Sequence, residues 1–433
     1  MALRIRTSGT FVKSRGSAAV AMLALIAPLA GAPTAAQAQP PSSSDGTNAV
    51  IAWDVNAQTA IYEVARQQPY VTTRSFAMVQ GAVYDAVDAI AGSPYQPYLV
   101  APRARRGDSV DAAVATAAYR VLLSLFPAQA DPLLVQYNAS LAAIADGRSK
   151  QGGIAVGAAA AAAMIAARAN DGAFGTGAWV VGTAPGQWRP TPPAFAQDGA
   201  WVGDLEPFVL PSARMFRTAG PPALTSAAYA KDVNEVEAIG SATSTVRTAD
   251  QTEAAKWWND RRLTEWSIKR QIAVNERLDT LQTARLFAMV DITLADTSIA
   301  CFNEKKFWSF WRPITAIQLA DTDGNPVTTA DPTWTPLLVT PPFPDYTSGH
   351  ACSTAADMLT LRHFFGRDDI AFSAYSADSG TTRSYQSFSG ALAELIEARI
   401  WGGIHFRTAD VQGAKIGENV ARYILRHEFQ PRR

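Results

Sequence analysis

Apolar residues recur at helical spacing along nearly the whole chain, and this periodicity restricts the fold more than any other feature. Ala57, Ala60, Ile61, Val64 and Ala65 share one helical face, and the pattern returns from Val110 to Asp146. After an interruption it resumes over 229–240, 249–275, 278–312, 349–366, 388–400 and 408–427. Nothing reads as a β-sheet, so the expected class is all-α, built from helical bundles. Gly152 to Asn170 (GGIAVGAAAAAAMIAARAN) is a helix of small side chains that lets neighbouring helices sit close, a packing element rather than a chemical one. A hydrophobic share of 48% is enough to fill a substantial core in 433 residues.

The interruption runs from Gly172 to Pro222 and is rich in Gly, Pro and Trp. A connection this long in a compact enzyme is often functional. Its glycines, Gly172, Gly175 and Gly177, do not make a dinucleotide fingerprint, because no strand precedes them and no helical pattern follows. The break divides the chain into an N-terminal helical region, 48–222, and a C-terminal helical domain, 223–433. Ahead of both stands an export signal, residues 1–38. It has Arg4, Arg6, Lys13 and Arg15, then the apolar run Ala18 to Ala30, then Ala36-Gln37-Ala38 as a cleavage site. Cleavage is expected before Gln39, with 39–47 (QPPSSSDGT) as a flexible leader and a periplasmic or secreted mature chain. The apolar run is too short for a stable membrane span.

Charge excludes some functions and leaves others. Lys plus Arg and Asp plus Glu are each 38, so there is no nucleic-acid footprint, and any strong positive field must be local. Export makes Cys301 and Cys352 candidates for one disulfide, with two buried free thiols as the alternative. Asp321-Thr322-Asp323-Gly324 resembles the start of a calcium loop, but the rest of that loop and its terminal Glu are missing, and a turn through Asp323-Gly324-Asn325 fits better.

Four segments of the last third carry residue types that bind an oxyanion. Lys305 and Arg312 lie in KKFWSFWRP, seven apart; on one helix they would share a face about 10.5 Å apart along the axis, with Pro313 ending it. Ser348-Gly349-His350 follows a Pro-rich turn and precedes a helical run, which puts Ser348 near an N-cap and leaves backbone N–H groups free for an anion. Arg399 closes a helix, Gly402-Gly403 permits a tight reversal, and His405 stands before the next helix, so both can face one cavity. Together these supply three fixed cations, a hydroxyl, a helix start and two imidazoles. Taken singly, each has a plain structural explanation: a solvated charge pair, a cap with a core histidine, a helix end. His363 and His427, each beside Arg near a helix end, are given no catalytic role.

In order and spacing, Lys305 with Arg312-Pro313, then Ser348-Gly349-His350, then Arg399 with His405 resembles the three-part signature of the vanadium haloperoxidase and type 2 phosphatidic acid phosphatase superfamily. The FWRP and PPFPDYTSGH contexts resemble the haloperoxidase branch. The resemblance implies that Lys305, Arg312, Ser348, the Gly349 N–H and Arg399 hold the oxygens of vanadate or phosphate. It makes His405 the vanadium ligand, or the nucleophile on phosphorus, and His350 the acid–base group. Phe343 would lie just behind these contacts. Two residues depart from the family: Thr347 stands where Pro is usual, and Phe302 where fungal chloroperoxidases carry Trp.

The function expected from this resemblance is a vanadate-dependent haloperoxidase. His350 and Lys305 polarise bound hydrogen peroxide, and halide attacks it to give hypohalous acid. The alternative is an exported acid phosphatase that hydrolyses phosphate monoesters through a phosphohistidine at His405, with no cofactor. A third reading is a non-catalytic oxyanion-binding protein. A multiply charged oxyanion among Trp and Phe needs several fixed donors to offset its desolvation in every case, so the motif alone serves all three.

Overall fold

A computed structural model describes residues 48–432, so the export signal and the leader lie outside the described residues. Asn48 caps the first helix through its side chain, which accepts the Val50 N–H at 3.0 Å. The N-terminal helices are α1 (Ala49–Gln58), α2 (Pro69–Ile90), α3 (Val110–Leu125), α4 (Ala130–Ala142) and α5 (Arg148–Ala167). After the long connection come α6 (Ala227–Gly240), α7 (Ala249–Trp257), α8 (Ile268–Asn275), α9 (Thr280–Trp308), α10 (Pro313–Gln318), α11 (Gly349–Phe365), α12 (Phe388–Trp401) and α13 (Arg407–His427). The all-α expectation holds.

Small residues decide how closely these helices approach. A Cβ on Gly153 would lie 2.1 Å from the Ser109 carbonyl oxygen, and one on Gly157 2.3 Å from that of Ala113, so α5 lies directly on α3. The same device brings α13 onto α11, where a Cβ on Gly417 would meet the Cys352 carbonyl at 2.0 Å. Helices α5 and α9 are each long and apolar enough to cross a membrane, but the apolar window of α9 is 94% buried inside the protein. One buried apolar cluster runs from Val50 to Phe429, including α2, α3, α9, α11 and α13, and a second gathers Tyr229, Phe310, Trp311, Trp334, Ile400 and Phe406.

Three helical expectations need correction. The 278–312 stretch is not one helix. A capping box of Asp279 and Gln282 starts α9, but it ends at Trp308, where Ser309 takes a left-handed conformation (φ 40°). Arg312 is therefore the N-cap of the next helix and Pro313 its first residue, a position where a missing N–H costs nothing. Lys305 and Arg312 are brought together by the break, not by a shared helical face. The 249–275 stretch also divides, because the Asp260 carboxylate takes the Arg262 and Ala377 amides and holds a turn between α7 and α8.

The third correction is a two-stranded hairpin. β1 (Phe372–Ser376) pairs antiparallel with β2 (Thr381–Tyr385), with Phe372 opposite Tyr385. Phe372, Ala374 and Ser376 point inward with period two, and the Trp257 indole donates to the Ala374 carbonyl at 3.1 Å. Five residues per strand, half of them Ser or Thr, give a weak apolar alternation that is easily missed. The Asp323-Gly324-Asn325 turn forms as expected, with Asp323 Oδ1 accepting the Asn325 N–H at 2.7 Å.

Candidate active site

All the residues singled out in the last third converge where the two apolar clusters meet. Phe302 belongs to one cluster and Phe310 to the other; Ala398 and Ile400 divide in the same way on either side of Arg399. Lys305, Arg312, Ser348 and Arg399 are fully buried there, and His405 is 1% exposed.

The loop 341–347 holds two of the cations through its backbone. Lys305 Nζ donates to the Pro344 carbonyl at 2.8 Å and the Asp345 carbonyl at 3.1 Å. Arg312 Nε donates to the Phe343 carbonyl, and Nη1 to the Ile404 carbonyl, both at 2.8 Å. The Phe343 ring lies against both charges, 5.0 Å from Lys305 Nζ and 5.1 Å from the Arg312 guanidinium carbon. The long 172–222 connection braces the same region, since Thr218 Oγ1 donates to Glu304 at 2.7 Å and lies 2.7 Å from the Tyr346 hydroxyl. A long connection thus fixes one end of α9 and the loop that carries the motif.

Ser348 caps α11, its Oγ accepting the Ala351 N–H at 3.4 Å, while its own N–H donates to the Ala409 carbonyl at 3.0 Å. Arg399 lies in the last turn of α12, and Gly403 (φ 74°) reverses the chain towards His405, as the glycines implied. His405 Nδ1 lies 2.7 Å from Asp345 Oδ1, off the line of a good hydrogen bond, and Nε2 is 3.2 Å from Arg312 Nη1. A proton on Nδ1, facing the carboxylate, leaves the Nε2 lone pair directed at the cationic side.

The electrostatics are those of a site with too few negative charges. Burial lowers the Lys305 pKa to about 8, with Arg312 adding to the effect, and lowers Arg312 and Arg399 to about 10 each. Burial, then the neighbouring cations, hold both His350 and His405 well below the usual imidazole range, so both are neutral. Two acids that sequence reasoning missed face them. Burial raises Asp345 to about 7, against the pull of Arg312 and Lys305, and raises Asp410 well above the carboxylate range. Each stands within five residues of a motif residue, in PPFPDYTSGH and HFRTAD, which was the available signal.

Among the described residues, Arg312 Nη2 and Arg399 Nε and Nη2 are buried donors with no partner; His350 Nε2 and the carboxyl oxygens of Asp345 and Asp410 also lack a hydrogen-bond partner. Arg399 keeps only a 3.5 Å contact from Nη1 to the Trp258 carbonyl. Nε and Nη2 form the edge with which a guanidinium grips two oxygens of one anion. Unpartnered buried donors of this kind cost about 1–3 kcal/mol each. A tetrahedral oxyanion supplies the missing acceptors, so the residues present fit vanadate or phosphate.

Cys301 and Cys352 are brought close but are free thiols, both buried, which corrects the disulfide expectation. Thr347 Oγ1 lies between them, 3.3 Å from Cys301 Sγ and 3.7 Å from Cys352 Sγ. The departure from Pro at 347 thus places a hydroxyl between two sulfurs. His363 and His427 are exposed on α11 and α13, away from this set.

Comparison with known proteins agrees with the geometry. A family model for the second helical-bundle domain of vanadium chloroperoxidase matches residues 285–432. The vanadium chloroperoxidase of Curvularia inaequalis is 32% identical over 115 residues, a stretch that makes up 24% of this chain and 18% of that protein. Residues 285–432 thus carry a domain of the vanadium chloroperoxidase second helical-bundle type. The fold extends further than the sequence match. A bacterial vanadium-dependent iodoperoxidase superposes with a TM-score of 0.74 at 24% identity, covering 89% of this chain and 96% of that one. A bacterial vanadium-dependent chloroperoxidase in its holo form gives 0.67 at 16% identity over 90% and 97%.

Proposed function

We propose that this protein is a vanadate-dependent haloperoxidase that oxidises halide with hydrogen peroxide to hypohalous acid. The observation that carries the proposal is the surplus of buried donors. Lys305, Arg312 and Arg399 face two carboxyls held toward their neutral forms, and Arg312 and Arg399 keep donors without acceptors. In this reading Lys305, Arg312, Ser348, Gly349 and Arg399 hold the oxygens of vanadate, and His405 Nε2 ligates vanadium. Bound vanadate supplies an electrophilic centre that activates peroxide towards halide.

The protein's own groups do the rest. Asp345 lies against His405 Nδ1 and favours the tautomer with its proton on that side, away from the anion. His350, neutral and with Nε2 free, takes the proton from incoming peroxide. Lys305, fixed by two carbonyls, offers its charge to the oxygen that develops negative charge. Tyr70, Phe302 and Phe343 cluster with ring centroids 5.0–6.0 Å apart and form an apolar wall on this side. The export reading of residues 1–38 is part of the same proposal.

The deciding experiment uses purified protein with and without orthovanadate, assayed for bromide oxidation by peroxide and for p-nitrophenyl phosphate hydrolysis. Vanadate-dependent bromide oxidation is the expected result. His405→Ala removes it, and His350→Ala leaves vanadate bound while slowing turnover, by about 100-fold or more for loss of an acid–base group. Phosphate ester turnover without bromide oxidation would overturn the proposal in favour of a phosphatase.

A further inference from the structure

A cavity of about 80 Å³ opens beside His350 and Gly349, walled by α2, α9, α11, the loop of Phe343 and the turn that carries Arg261. That is more than a halide ion or a peroxide molecule needs, and the cavity is open on one side, so part of a larger ligand can lie outside it. Its lining is mainly apolar. Tyr70, Phe302 and Phe343 form one side, and Leu294 and Pro69 extend it.

Besides the side chains of Thr73, Thr264, Ser298 and Ser353 and the unpartnered Tyr70 hydroxyl, two basic groups stand in this lining. His350 Nε2 is one, buried and without a partner. Arg261 is the other: its Nη2 donates to the Gln67 carbonyl at 2.8 Å, its guanidinium lies 4.4 Å over the Tyr62 ring, and its Nη1 is buried with no acceptor. Among the described residues, neither contact neutralises its charge. The acidic group that faces the Tyr70 hydroxyl is the exposed Asp198, whose Oδ1 already accepts the Gly199 N–H at 2.7 Å. Arg261 therefore leaves a cationic donor unused in an aromatic slot that ends at the proposed acid–base group.

We propose that this slot binds an aromatic carboxylic acid, with its ring against Tyr70, Phe302 and Phe343 and its carboxylate on Arg261. The ring then lies next to His350, where hypohalous acid is released. Binding of the acid does not depend on the haloperoxidase reading; the fate of the ring rests on it. A ring carbon's electron pair forms the carbon–halogen bond as the oxygen–halogen bond breaks, and the ring proton leaves with hydroxide as water. Stacking against aromatic faces sets the ring, and a guanidinium–carboxylate pair sets its direction.

The test is calorimetric titration of 4-hydroxyphenylacetate, and of its uncharged amide, into the full protein with saturating orthovanadate to occupy the cations around His405. The acid should bind at least tenfold more tightly than the amide. Arg261→Ala should erase that preference by weakening the acid about ten- to a hundredfold, the range for a lost charged hydrogen bond, and leave the amide unchanged. Arg261→Lys should restore part of it. Phe302→Ala should weaken acid and amide alike. Equal affinity for acid and amide in the wild type would overturn the proposal with no variant needed, and so would acid binding that Arg399→Met removes and Arg261→Ala does not. Arg261-dependent binding in a protein that oxidises neither iodide, bromide nor chloride would support the slot and sink the haloperoxidase reading instead.

Discussion

Two clusters of charge lie buried in this helical core; burial raises carboxyls in both, Asp291 and Asp357 in one and Asp345 and Asp410 in the other, and the clusters differ in how their cations are partnered. Around Lys269 every cation has its acid: Nζ lies 2.6 Å from both oxygens of Asp291 and 3.4 Å from Asp54, and Arg270 pairs with Asp54. Gln80 completes the set by donating to Asp54 at 2.8 Å. Around His405, Arg312 meets Asp345 only at 3.7 Å, burial drives Asp345 and Asp410 toward neutrality, and donors of Arg312 and Arg399 are left over. A paired cluster ties α1, α8 and α9 together. An unpaired one spends stability to keep a place for an anion. Burial of charge alone does not mark a site; the imbalance between donors and acceptors does.

The comparison breaks most visibly in stability. Lys269→Met leaves Asp291 buried with its partner gone, while Asp54 keeps Arg270, and should destabilise the fold by about 3–5 kcal/mol in urea or thermal unfolding. Arg399→Met deletes a buried charge of similar size that has no acid in contact. It should leave stability within ~1 kcal/mol of wild type, or raise it. Equal losses in the two variants would mean that Arg399 is as well paired as Lys269. The next effect is in binding. Arg399→Met and Arg312→Met should each weaken orthovanadate affinity by about 1.5–3 kcal/mol, measured calorimetrically, and phosphate should compete in the wild type. Lys269→Met, assayed below its unfolding temperature, should bind orthovanadate as the wild type does.

How much of this was legible in the sequence follows from what each residue does. The anion-binding residues stood out because Lys305, Arg312, Ser348, His350, Arg399 and His405 contribute side-chain chemistry at fixed spacing. Their support did not. Asp345 and Asp410 act through burial and proximity, and a single Asp in a loop has no periodicity to betray it. The break at Ser309 was invisible because FWSFWRP continues the apolar pattern of α9; a left-handed serine is selected by tertiary contacts, here the amide of Trp188 donating to the Ser309 carbonyl at 2.7 Å. Arg261 is separated from the motif by more than 40 residues, and only the packing of the α7–α8 turn brings it to the same cavity.

The smallest expected effect sharpens the account of charge imbalance through pH. In the absence of an anion Asp345 titrates near 7, raised by burial, and Lys305 near 8, lowered by burial and by Arg312. Anion binding favours neutral Asp345 and charged Lys305, so affinity is greatest below both values. As pH rises, Asp345 loses its proton first and adds a negative charge; Lys305 then loses its own and removes a positive one. Both steps weaken binding. Sulfate is the suitable probe, because its charge is constant from pH 6 to 9 and any trend belongs to the protein. Its affinity should fall by about tenfold across that range, equivalent to about 1.4 kcal/mol. Asp345→Asn should remove the lower step and Lys305→Arg the upper, since a guanidinium keeps its charge throughout. A flat profile in the wild type would show that neither group changes charge in this window, and the surplus of positive charge would then rest on the two arginines alone.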